Sequence, residues 1–132
     1  MIIYLDTSAA MKLLVEEDES PALHTFLTQS TEPGDLRLVA SWLLHTELHC
    51  AAQRSPQYVD AAAAEELLDR VELIDVTRAD LVTAGALWGR LRSHDAIHLA
   101  VAMRVPAEAM ATYDAELVAA LDRAGLQLVQ PS

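Results

Sequence analysis

Apolar residues fall along this chain in short runs that alternate with helical stripes. Ile2–Leu5 is a four-residue apolar run ended by an acid, which predicts a buried strand. Thr7–Glu17 then carries helical spacing. Ser20-Pro21 opens a second helix, with Pro in the first turn, where its missing N–H costs nothing. Thr31–Asp35 contains Pro33-Gly34 and predicts a loop. Leu36–Ala40 predicts a second strand. Trp42–Arg54 is helical, with Leu44, Leu48 and Ala51 on one face. Pro56–Arg70 predicts another helix around the Ala61–Ala64 run. Val71–Val76 predicts a strand, and Thr77 caps a helix over Arg78–Arg92 whose inner face holds Leu81, Ala84, Leu87 or Trp88, and Leu91. A helix follows over Asp95–Arg104, then a short strand at Ala109–Thr112. Asp114–Arg123 is a last helix, stopped by Gly125, and Leu126–Val129 a last strand. Strands and helices alternate throughout, so the expected fold is α/β, a central, mainly parallel sheet of about four to five strands flanked by helices.

Composition narrows this picture. The 132 residues suit one domain, and 52% of them are apolar, enough for a core built mostly of Leu, Val, Ile and Ala. No repeat or linker divides the chain, so residues 1–132 are expected to form a single domain. No apolar run reaches the roughly 18 residues of a membrane span. The start lacks the basic flank of a secretory signal. A single cysteine, Cys50, rules out an internal disulfide framework and is expected to be a small buried hydrophobe. A cytoplasmic protein is the simplest expectation. The net charge is −11, with eight Arg and one Lys. That balance argues against a plain nucleic-acid-binding module, which needs a basic surface. It leaves room for an enzyme that meets phosphate through bound metal.

The candidate chemistry is four carboxylates. Asp6 follows the first strand and opens a helix, at the strand end where α/β proteins place their sites. Asp114 repeats that position after the Ala109–Thr112 strand. Both have an ordinary alternative as helix N-caps. Glu47 is different. It joins Leu44, Leu48 and Ala51 in an apolar stripe, where a carboxylate is costly unless it is paired or bound. Asp95 shares a helical face with His98, Leu99 and Ala102, with capping again the alternative. Four acids brought together repel one another and raise some of their pKa values. A hard divalent cation relieves that repulsion, and Mg²⁺, with Mn²⁺ able to substitute, suits an all-carboxylate site.

The histidines do not compete strongly. His45 and His49 are four apart and share a helix face, but His45-Thr46-Glu47-Leu48-His49 is not the His-Glu-x-x-His zinc motif. Glu47 points about 200° from His45 and about 160° from His49 around the helix. If Glu47 faces the site, the pair faces away, and the sequence alone does not make it a zinc site. There is no Gly-rich phosphate loop and no Gly-x-Ser-x-Gly elbow.

Set out in order, these residues resemble the PIN-domain ribonucleases, and most of all the VapC-like toxins of bacterial toxin–antitoxin pairs. The resemblance rests on Tyr4-Leu5-Asp6-Thr7-Ser8-Ala9, Thr46-Glu47-Leu48, Ser93-His94-Asp95-Ala96-Ile97-His98-Leu99-Ala100 and Thr112-Tyr113-Asp114. It implies a PIN-like fold and a metal-dependent endoribonuclease using Mg²⁺ or Mn²⁺. It makes Asp6, Glu47, Asp95 and Asp114 the catalytic, metal-binding acids, with Ser8 and Thr112 supporting them from behind. It further implies an RNA substrate, a small antitoxin partner whose tail covers the site, and a homodimer.

The expected reaction is hydrolysis of an RNA phosphodiester, with Asp6 and Asp95 as first choices for direct metal ligands. Arg90, Arg92 and Arg104 are candidates for phosphate contacts. A phosphoryl-transfer domain is the rival enzyme. It needs a Lys beside the acids, and the only Lys is Lys12; an aspartyl phosphatase needs an acid where Ser8 stands. The non-enzymatic alternative is an interaction module that binds a basic antitoxin peptide through its acidic pocket.

Overall fold

A computed structural model describes residues 1–29 and 35–132. Five strands form one sheet: β1 (Ile2–Leu5), β2 (Arg37–Ser41), β3 (Glu72–Ile74), β4 (Ala109–Ala111) and β5 (Gln127–Val129). Every pairing is parallel, and the order is β3-β2-β1-β4-β5. The expected α/β architecture is therefore the one found. β1 lies at the centre, which explains its unbroken apolar run: Ile3, Tyr4 and Leu5 are all fully buried.

Among the described residues, seven helices connect and flank the strands: α1 (Thr7–Leu14), α2 (Ser20–Gln29), α3 (Trp42–Arg54), α4 (Ala61–Asp69), α5 (Arg78–Ala86), α6 (Ser93–Arg104) and α7 (Ala115–Ala124). The core joins the strands to Leu23 of α2, Leu44 and Leu48 of α3, Leu68 of α4, Leu99 and Val101 of α6, and Leu117 and Leu121 of α7. Gly125 ends α7 in the left-handed conformation, at φ 77°. Of the expected Thr31–Asp35 loop, residues 31–34 lie outside the described residues.

Three sequence expectations need correction. The helix expected over Pro56–Arg70 begins only at Ala61. Asp60 caps it by accepting from the Ala63 N–H, while Tyr58 and Val59 turn back onto the Ser55 carbonyl. The helix expected to reach Arg92 stops at Ala86. Leu87 is extended and Gly89 takes φ 90°, so the chain breaks where glycine permits it. The inner face of α5 also differs. Leu81 is 51% exposed, and Asp80 is the buried residue. Asp80 completes a capping box with Thr77 and accepts from the Arg104 Nε at 2.8 Å and Nη2 at 2.9 Å. An ion pair across α5 and α6 has turned that helix away from its apolar stripe. Arg104 is consequently engaged with Asp80 and the Asp75 carbonyl.

Candidate functional site

Parallel strands end at one edge of the sheet, and the candidate acids gather there. β1 pairs with β4 so that Leu5 lies opposite Ala111. The next residues, Asp6 and Thr112, are thereby neighbours, and the Asp6 N–H donates to the Ala111 carbonyl.

Asp6 is 1% exposed. Its Oδ1 accepts from the Ala9 N–H at 2.9 Å and the Ser8 hydroxyl at 2.8 Å. Its Oδ2 accepts from the Thr112 hydroxyl at 2.6 Å. Ser8 is itself held by the Tyr113 N–H at 2.8 Å, and Thr112 by the Asp114 N–H at 3.1 Å. Asp6 is thus both the N-cap of α1 and the anchored centre of a polar net, so capping and site membership were never exclusive. Burial pushes its pKa up, and the bonds from Thr112, Ala9 and Ser8 work against that push.

Asp114 caps α7, its Oδ1 accepting from the Glu116 and Leu117 N–H groups at 3.0 Å each. Asp95 does not cap. The N-cap of α6 is Arg92, which makes no side-chain cap bond. Asp95 lies in the first turn, and among the described residues its one polar side-chain partner is His94 Nε2 at 3.4 Å. Burial raises the Asp95 pKa, and the charges of Asp114 and then Asp6 raise it further, against the pull of His94 and His98. Three aspartates from three separated chain segments therefore share one electrostatic field.

Glu47 reaches the same edge from α3 but is committed elsewhere. Its Oε1 lies 2.6 Å from His98 Nε2. His98 is wholly buried, and its Nδ1 lies 2.6 Å from the Tyr4 hydroxyl. That hydroxyl also accepts from the Ser41 N–H at 3.0 Å. An ionised carboxylate only accepts, so Nε2 carries a hydrogen and donates it to Glu47. Thr7 Oγ1 stands 3.1 Å from the same Nε2. Burial works to raise the Glu47 pKa, but the bond and charge of His98 outweigh it and hold Glu47 below its ordinary value. Burial pushes the Tyr4 phenol well above its own. The sequence reading missed His98 and Tyr4 as site residues. The only signal was the shared helical face of Asp95 and His98.

The donor set here is all oxygen and rich in negative charge, which fits a hard divalent ion. The oxygens are spread, however. Among the described residues, no three of these four acids bring ligand atoms all within 4.8 Å of one another. An ion that keeps several of its waters fits such a set better than one needing a closed protein cage. Arg90 and Arg92 are exposed just before Asp95 and make no ion pair among the described residues. Cys50, expected inside, is exposed. The buried residues of α3 are Leu44, Leu48, Ala51 and Ala52, and Cys50 lies about 100° outside the arc they span.

The chain belongs to the PIN-domain family, whose pattern matches residues 3–123. It is 35% identical over 133 residues to "Ribonuclease VapC47" of Mycobacterium tuberculosis (strain CDC 1551 / Oshkosh), covering 98% of this chain and 97% of that protein. It is 40% identical over 137 residues to "Ribonuclease VapC35" of the same organism, with the same coverage. Among solved structures it is similar to VapBC2 from Rickettsia felis bound to a promoter DNA fragment, with a TM-score of 0.73 at 16% identity and full coverage of both chains. It is also similar to Mycobacterium tuberculosis VapC20, described as a sarcin-ricin loop cleaving toxin. There the TM-score is 0.69 at 18% identity, over 89% of this chain and 94% of that one. At such identities the structural likeness speaks for the fold alone.

Proposed function

We propose that this chain is a metal-dependent endoribonuclease, the toxin of a toxin–antitoxin pair, built as one PIN domain over residues 1–132. The carrying observation is the sheet edge itself, where a fully anchored Asp6 shares one field with Asp95 and Asp114. Relatives named as ribonucleases, aligned over nearly the whole length, support the same reading.

Each residue has a distinct task. Asp6 cannot rotate, because Ala9, Ser8 and Thr112 hold both its oxygens, so it presents a fixed ligand direction. Asp95 is buried but has only His94 as a polar side-chain partner among the described residues, and is the more adjustable ligand. Asp114 spends Oδ1 on the α7 cap, which leaves Oδ2 for the ion. Glu47 is kept ionised and oriented by His98, and it completes the site or acts through water. These four would hold Mg²⁺, with Mn²⁺ as a substitute. The ion, when bound, supplies a lowered pKa for attacking water and a counter-charge for the phosphate. Arg90 and Arg92 offer the nearest exposed cations in sequence for the RNA backbone.

The partner is a small antitoxin whose basic segment is drawn to the acidic edge, and the activity belongs to the cytoplasm. No described helix is long and apolar enough to cross a membrane. A homodimer is favoured by α5, where the apolar side chains of Leu81 and Val82 are 51% and 69% exposed. The direct test is cleavage of an RNA by the purified protein with Mg²⁺ or Mn²⁺ added. Cleavage is expected from the wild type and not from Asp6→Asn. Equal metal-dependent cleavage by both would reject the assignment of Asp6.

A further inference from the structure

A second group of metal-ligating side chains lies on the outer face of α3. His45 and His49 stack with ring centroids 4.1 Å apart, and the Trp42 ring lies 5.0 Å from that of His45. Glu65 of α4 comes up to the pair. Among the described residues, these are the His, Cys, Asp or Glu side chains whose ligand atoms all lie within 4.8 Å of one another.

The hydrogen bonds fix what His49 presents. Its Nδ1 lies 2.7 Å from the His45 carbonyl, an acceptor only, so Nδ1 carries the hydrogen. A histidine that gives one N–H to a backbone carbonyl and aims its other nitrogen outward is oriented as metal-binding histidines are. The outward Nε2 lies 2.5 Å from Glu65 Oε1. A bare lone pair would repel a carboxylate at that distance, so the position calls for a positive charge between the two atoms. A proton satisfies it, and so does a metal ion. A tetrahedral ion with bonds of about 2.0–2.1 Å spaces its ligand atoms roughly 3.3 Å apart. Glu65 is largely exposed and needs to yield by less than about 1 Å, a shift its flexible side chain allows.

We propose that His45, His49 and Glu65 form a binding site for Zn²⁺ or a similar transition-metal dication, tying α3 to α4. Two imidazoles and one carboxylate suit zinc and are a poor set for Mg²⁺. The site stands apart from the sheet-edge acids, because α3 sends Glu47 inward and the two histidines outward. It does not depend on the nuclease reading.

The test is titration of Co²⁺, as a coloured stand-in for zinc, into the full chain carrying no histidine tag. The wild type and Asp6→Asn are expected to develop the same tetrahedral visible absorption, equivalent to one ion per chain, and Zn²⁺ is expected to displace that ion and raise Tm. His45→Ala, His49→Ala and Glu65→Gln each weaken binding by at least about tenfold while far-UV circular dichroism stays unchanged. The proposal is overturned if the wild type develops no tetrahedral spectrum, or if the histidine variants bind as tightly as the wild type. Loss of Co²⁺ binding in Asp6→Asn alone would overturn it too, by moving the ion to the sheet edge.

Discussion

At the scale of single residues, the site combines groups that want to be charged with surroundings that resist it. Asp95 is the clearest case, because its carboxylate is covered yet receives little from the protein. Asp95→Asn is expected to abolish cleavage and at the same time to stabilise the protein, in metal-free buffer, by about 0.5–2 kcal/mol. Urea unfolding with a chelator present checks the second half; a destabilised variant would mean that Asp95 has a structural partner instead. Thr112 acts through Asp6 and not on substrate. Thr112→Val should weaken Mn²⁺ binding about 10- to 100-fold, measured by calorimetry, with the fold intact. Tyr4→Phe tests the buried relay. It leaves the Ser41 N–H and His98 Nδ1 unpaired and should cost about 1–3 kcal/mol of stability. Residue by residue, legibility followed from how local each partner is. Glu47 was readable because it interrupts its own apolar stripe. His98 was not, since its partners Tyr4 and Glu47 lie 94 and 51 positions away.

Elements show the same division. Strands and helices set by local pattern fall where expected: β1, α3 and the Gly125 stop match their sequence signals. The helices that differ were decided by tertiary contacts or by glycine. α5 is the instructive one, since its apolar residues predict an inner face that the Asp80–Arg104 pair overrides. That pair also gives a pH signature. The Arg104 bonds hold the Asp80 pKa below its ordinary 3.8, against the upward push of burial. Its contribution is therefore complete above that value and is lost as pH falls through the lower folded value. Asp80→Ala should destabilise by about 1–2 kcal/mol at neutral pH, from the lost cap bond and a half-exposed ion pair. The gap to the wild type should close below pH 3.8. A gap that persists unchanged in acid would show that packing, not charge, holds α5 in place.

For the whole molecule, the sequence carried the fold class and left the surfaces undecided. The exposure of Leu81 on α5 could not be foreseen, because Asp80, the residue buried in its place, is charged. If that face joins two copies, Leu81→Glu with Val82→Glu should convert a dimer to a monomer in sedimentation while leaving circular dichroism unchanged. A wild type that sediments as a monomer at all concentrations would remove the dimer from the proposal. The sheet order has one further consequence, for how the protein is made. β1 is the first strand synthesised, yet its neighbour β4 is the fourth, and Asp6 waits for Thr112, 106 positions later. A nascent chain emerging from the ribosome carries Asp6 for most of translation with its local Ser8 and Ala9 bonds but without the one from Thr112. The site edge is therefore completed only as synthesis nears its end.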